Sequence, residues 1–206
     1  MDQTVENIDK LRRQLFSTKI AERKKVVKKI VIDKLTVFQD DLFNLFKIEY
    51  NKNKSWEFIC LLIDTLGILN YKNAANELLK ICKKNESHDM ITICASRAYC
   101  RIKRKNLEDA SPILKMLSFG NFSVVDGALK ALGEDKMILS ENDQNEIINC
   151  IQKFEPKLEK GFSDIRMGLA AACENWKKTP KINCFLKECI ESQYQPLIKI
   201  AKNSLK

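Results

Sequence analysis

A chain of 206 residues can bury one core or a short array of repeats, and a composition 45% hydrophobic and 31% charged is that of an ordinary globular protein. Only 6 Gly and 4 Pro leave few sites for tight turns, which disfavours an all-β fold. The net charge of +9 suggests an anionic partner, but the 36 basic and 27 acidic residues are interspersed rather than gathered on one element, as a dedicated nucleic-acid binder gathers them.

The longest apolar runs, such as FICLLI at Phe58–Ile63, fall far short of the roughly 20 residues that cross a bilayer. The polar, acidic start MDQTVENIDK has no apolar h-region, so no secretory signal is expected. These features predict a cytoplasmic chain with no membrane association. None of the eight cysteines forms a CxxC pair and there is a single histidine, His88, so no metal site and no cofactor is expected. Most of the cysteines sit beside Leu, Ile or Ala at helical core spacing, which predicts reduced, buried thiols acting as small hydrophobes.

In chain order, residues 2–16 place Val5, Ile8, Leu11, Leu15 and Phe16 on one face of an amphipathic helix. Ser17 or Thr18 is positioned to cap a second helix, 19–35, whose stripe of Ile20, Val26, Val27, Ile30, Val31 and Leu35 opposes Arg23, Lys24, Lys25, Lys28 and Lys29. Thr36 is the expected N-cap of a third, 37–50, and Ser55 of a fourth.

From residue 55 the chain repeats. LIDTLG at Leu62–Gly67 precedes ALKALG at Ala128–Gly133 by 66 positions, two steps of 33, and ASRAYC at Ala95–Cys100 falls between them. The helices that follow align through Leu78–Cys82, Ile113–Leu117, Ile147–Ile151 and Phe185–Cys189, at steps of 35, 34 and 38. A period in the mid-thirties with two helices per period marks an α-solenoid, because one hairpin cannot bury its apolar face without stacking on a copy of itself. The predicted helices are 55–70/73–84, 88–104/108–118, 122–133/141–153 and 163–176/180–191, closed by 194–205. Pro112 and Pro180 fall in first turns, and Gly120, Gly133 and Gly161 at helix ends. The fold class is therefore all-α, a single domain with N-terminal capping helices over 1–53, repeats over 54–191 and a capping helix over 192–206.

Thr65–Leu69, Ala74–Ile81, Ala95–Arg101 and Ala128–Gly133 resemble the HEAT-like repeat, in particular the short kind of phycobilisome-lyase-type repeat proteins. The resemblance covers residues 55–191. The first 50 residues are out of register with it, and Ala170–Ala172 stand where Leu-Gly is expected. Such a resemblance implies architecture, and a concave face of second helices used for partners.

No nucleophile–base pair, phosphate loop or metal-ligand spacing occurs, so the chain is not expected to be an enzyme. His88, between Ser87 and Asp89, reads as a surface residue at a helix start. Asp64 and Asp126 read as structural carboxylates. Trp56, Trp176 and Asp64 invite comparison with HEAT-like DNA glycosylases, but no stretch matches their catalytic pattern, and Trp56 reads as core.

Binding is better supported. Lys80, Lys115, Asn149 and Lys187 occupy one position of the aligned second helices, each polar among apolar neighbours, and Lys84, Lys153 and Asn183 lie one turn away. This stripe predicts a protein-binding scaffold, adaptor or inhibitor, of the kind that holds a toxin as an immunity protein does, with an acidic partner surface. The competing reading is nucleic acid, gripped at its phosphates by Arg23, Lys24, Lys25, Lys28 and Lys29. A second cluster, Arg101–Lys105, is accounted for by the negative end of its helix.

Overall fold

The computed structural model describes residues 3–119, 121–154 and 164–206, with side chains from Glu6 onward. Among these residues all regular structure is helical: α1 (Gln3–Leu15), α2 (Ile20–Ile32), α3 (Gln39–Lys52), α4 (Trp56–Ile68), α5 (Ala75–Lys84), α6 (Met90–Lys103), α7 (Ser111–Leu117), α8 (Phe122–Glu134), α9 (Glu141–Lys153), α10 (Arg166–Ala172), α11 (Pro180–Ile190) and α12 (Gln195–Ser204). The expected helices are found, with ends trimmed by a few residues. Val5, Gly120 and Gly161, and the predicted start of the fourth hairpin at residue 163, lie outside the described side chains or residues.

The helices make one row of first helices, α2, α4, α6, α8, α10 and α12, each packed on the next. The second helices do not sit chiefly on their own partners. Instead α3 packs on α4, α5 on α6, α7 on α8 and α11 on α12, so each bridges to the following hairpin. Glycines set the close approach within the first-helix row. A Cβ on Gly127 would stand 2.2 Å from the Ile93 carbonyl oxygen of α6, and one on Gly168 would stand 2.3 Å from that of Leu129 in α8. Gly133, expected as a helix stop, lies inside α8 and faces the Gly168 backbone in the same way.

Capping follows chemistry more selectively than the sequence suggested. Asp89, Asn121, Ser140 and Thr179 accept first-turn N–H groups of α6, α8, α9 and α11. The caps expected from Ser17 or Thr18, Thr36 and Ser55 do not form. Ser17 donates to Glu22 instead, and Thr36 opens a 3-10 turn, Thr36–Phe38, that leads into α3. Pro112 and Pro180 do stand in first turns, where the missing N–H has no partner to lose.

The first helices α2, α4 and α8 end alike. Leu35 N–H returns to Ile30 C=O, Tyr71 N–H to Leu66 C=O and Met137 N–H to Leu132 C=O, at 3.0, 3.0 and 3.2 Å. The residue before each, Lys34, Asn70 and Lys136, has a positive φ of 50°, 54° and 50°. This is the Schellman closure, made here without glycine. Both α2 and α4 then enter a 3-10 turn, Thr36–Phe38 and Lys72–Ala74. The α2–α3 connection is thus built like the α4–α5 connection, although the sequence reading set residues 1–53 apart as capping helices.

Neighbouring turns are also joined. Gln39 donates to the Leu69 carbonyl at 2.6 Å, Lys72 to that of Ile102, the Ile138 N–H to that of Leu107 at 3.1 Å, and Trp176 Nε1 to that of Met137 at 2.8 Å. The turns after α2, α4, α6 and α8, with the segment after α10, therefore form one continuous edge.

Candidate functional site

The aligned positions of the second helices behave alike. Leu78, Ile113, Ile147 and Phe185 are buried, as are Cys82, Leu117, Ile151 and Cys189 four residues on, while Lys80, Lys115, Asn149 and Lys187 between them are exposed. Amphipathic packing requires that pattern. Lys84 and Lys153 are exposed as well, whereas Asn183 is half-buried. Their helices form a row only in part: α9 touches α7 and α11, and α5 packs chiefly on α6.

Several members are held within the chain. Lys80 pairs with Glu77 at 2.7 Å. Lys84 donates to the Tyr50 hydroxyl at 2.8 Å and lies 5.1 Å from the centre of that ring. Lys115 does the same with Tyr99, at 2.9 and 5.4 Å. Asn149 accepts from Lys181 of α11. Each cation over a ring is oriented at little cost to its charge, since the ring face attracts without neutralising.

The cationic face of α2 is different. Arg23 is paired with Glu49 at 2.9 Å, Lys24 with Glu57 at 2.8 Å and Lys29 with Asp33 at 2.7 Å. Only Lys25 and Lys28 of the five are exposed without an ion pair among the described residues. Five like charges on one helix repel one another, and the carboxylates that pair with Arg23 and Lys24 lie 26 and 33 residues away in sequence. Burial alone would raise the Glu49 carboxyl, but hydrogen bonds and charge from Arg23 and Lys52 outweigh it and the net shift is downward.

A second charged cluster runs across the first-helix row. Arg97 donates to Asp64 through Nε at 3.1 Å and Nη2 at 2.6 Å, and to Glu134 through Nη1 at 2.7 Å. Arg101 grips Asp135 with two nitrogens and also reaches Glu134, and Arg104 closes on Asp135 at 2.6 Å. Asp64 of α4, three arginines on or just past α6, and the end of α8 are thereby fastened together. Arg101 and Arg104, expected to answer a helix terminus, find specific carboxylates instead. For Arg97, burial pulls the guanidinium down but Asp64 more than offsets it, so its pKa rises. Asp135 is raised by burial yet ends lowered by Arg101 and Arg104. Asp126 is buried with Lys130 as its ion-pair partner at 2.7 Å, and there burial prevails and raises the carboxyl.

Trp56 is not core. It is the first residue of α4, 53% exposed, and with Tyr50, Asn53, Lys84 and Met90 lines a cleft of about 600 Å³. Helical periodicity assigns Trp56 to the apolar face, but burial in α4 begins only at Phe58, Ile59 and Cys60. Trp176 is buried. His88 is half-buried rather than a surface residue, with a φ of 56° and its ring 4.7 Å from that of Phe122; Asp89 is the cap.

Six of the eight cysteines are buried, all eight are free thiols, and burial pushes Cys82, Cys173 and Cys189 up to about 12. Such thiols stay protonated and are poor nucleophiles. Among the described residues no group of three or more His, Cys, Asp or Glu is arranged to hold a metal ion, and no helix is long and apolar enough to cross a membrane. No protein-family model matches the sequence, and a search of curated proteins finds no match.

Proposed function

We propose that the chain is a short HEAT-like α-solenoid and acts as a non-catalytic binding module, a scaffold, adaptor or inhibitor for a protein with an acidic surface. The solenoid reading is supported by the row of first helices and by the same turn closing α2, α4 and α8. The single observation that carries the binding reading is the shared exposure of Lys80, Lys115, Asn149 and Lys187 at one repeated position between buried neighbours. Charges placed this way reach a partner without a packing role to perform, and an acidic surface is what a lysine column attracts. An inhibitory partner of a toxin, holding it as an immunity protein does, would use the same surface.

The test is affinity purification of the chain from its native cell, beside the Lys80→Glu, Lys115→Glu, Lys187→Glu triple variant. A protein retained by the parent and lost by the folded variant is the expected result. Retention of the same protein by both would remove the lysine column from the reading. Duplex DNA titrated at low and high salt is the control: binding that falls steeply with salt and disappears with Lys25→Glu and Lys28→Glu would replace the protein partner with nucleic acid. The pairing of Arg23, Lys24 and Lys29 makes that outcome the less favoured one.

A further inference from the structure

A different surface carries exposed apolar side chains that the packing leaves uncovered. Of the ten large hydrophobics that stand exposed among the described residues, five lie on the continuous edge made by the turns after the first helices: Ile32 and Val37 on the first turn, then Ile68, Leu107 and Ile138. The last three are 48%, 45% and 58% exposed and are neighbours. Ile68 and Leu107 wall one cleft of about 520 Å³, whose remaining lining includes Asn70, Arg101, Arg104 and Asn106. The Ile138 N–H is hydrogen-bonded to the Leu107 carbonyl. Single exposed aliphatics are ordinary on a protein surface, but a contiguous row beside a cleft marks a place where something binds.

The charge on this edge points to what that is. Three of its carboxylates are engaged within the chain, Asp33 by Lys29, Asp135 by Arg101 and Arg104, and Asp109 by the N–H groups of Lys105 and Ser111, while Glu108 and Glu174 are exposed with no ion pair among the described residues. Lys34, Lys103, Lys105 and Lys136 form no ion pair among the described residues, and all four are exposed. The edge therefore offers an aliphatic row flanked by lysines. A second copy would bring like charge against like charge, which opposes association.

We infer that this edge is a docking surface for an acidic amphipathic helix of a partner protein. The apolar side of the helix rests on Ile68, Leu107 and Ile138, with one side chain seated in the cleft, and its carboxylates meet Lys34, Lys105 and Lys136. Apolar anchors at successive helical turns match a row of this kind. The concave cleft, lined also by Arg101 and Arg104 paired with Asp135, suits a protruding side chain better than it suits the flat surface of a bilayer. The edge shares no residue with the lysine column and stands or falls independently of it.

The experiment uses the full chain and a labelled peptide of Glu, Ala and Leu, about 20 residues long so that it holds some helix in water, with Leu on one face. Binding is followed by fluorescence anisotropy, beside a scrambled peptide of the same composition, a peptide with Lys for every Glu, and vesicles containing phosphatidylserine. The expected result is saturable binding of the ordered acidic peptide alone. Ile68→Asp with Leu107→Asp weakens it by about tenfold or more, as loss of central anchors does. Lys105→Glu with Lys136→Glu weakens it several-fold and admits the basic peptide, while Lys10→Glu on α1 leaves it unchanged. The substituted side chains are exposed, so melting temperatures should stay in place, and Ile68→Ser with Leu107→Ser serves if the aspartates lower them. Equal binding of the scrambled peptide, no saturable binding, or indifference to the edge variants would overturn the inference. So would vesicle binding lost with the same variants in the absence of peptide binding, which would make the edge a lipid surface.

Discussion

The row of first helices and the second helices that flank it are made of the same kind of amphipathic segment, yet they are held in opposite ways. Along the first-helix row backbones nearly touch at Gly127 and Gly168, and the arginines of α6 tie α4 to α8. At those contacts side chains have no room to change, and the arginines and carboxylates that join the helices are paired with one another. On the second helices, the corresponding lysines stand in solvent, paired within their own helix or laid over a tyrosine. One row spends its polar groups on cohesion. The other leaves them available.

That contrast predicts a graded series of effects. The largest should come from Gly127→Leu, because the added carbons meet the Ile93 carbonyl, which is backbone and cannot swing aside. Overpacking of this kind costs about 3 kcal/mol or more, readable as a lower urea midpoint with an unchanged slope. Next comes Arg97→Ala, which strands the part-buried Asp64 and one side of Glu134. A loss of about 2–3 kcal/mol is expected, and Asp64→Asn in the same chain should recover part of it, since the uncompensated charge is then gone.

Acid should dissect the row further. Glu49 and Asp135 have lowered pKa values, so the stability they contribute is complete above the ordinary carboxylate values of 4.5 and 3.8 and is lost as the pH falls through their folded values. Asp126 is raised, so its contribution has the other sign: it is present at low pH and fades as the pH rises through the folded value. Asp126→Asn should therefore remove a compensating effect and make acid unfolding steeper, measured by circular dichroism across the acid limb. The smallest effect belongs to the exposed column. Lys80→Glu, Lys115→Glu or Lys187→Glu should shift stability by no more than about 0.5 kcal/mol, and a larger change would mean that the two rows are not as different as their contacts imply.

Helix positions were legible because apolar spacing and proline placement are local signals, and α4 to α12 lie close to where those signals put them. The kinship of α2–α3 with α4–α5 was not. The repeat was aligned on Leu-Gly strings, while the shared turn depends on a buried residue returning its N–H to the helix, and Leu35, Tyr71 and Met137 have little in common as letters. Nor did the sequence disclose that Lys34, Asn70 and Lys136 adopt the conformation that glycine adopts more readily. The pairing of the charge on α2 is hidden from the sequence for a related reason. Five cations in one helix are visible in the sequence, whereas Glu49 and Glu57 come to Arg23 and Lys24 only through folding. The edge of Ile68, Leu107 and Ile138 was missed because each residue sits in a different turn, and only the bonds between turns make them a row.

The two tryptophans give the molecule a pair of built-in optical reporters. Trp56 opens α4 in solvent beside the cleft with Tyr50 and Lys84, and Trp176 is enclosed with its Nε1 held by Met137. A soluble quencher will extinguish the red-shifted emission of the first and spare the blue-shifted emission of the second. Occupation near α4 and loosening around α10 can thus be followed separately in the unlabelled protein.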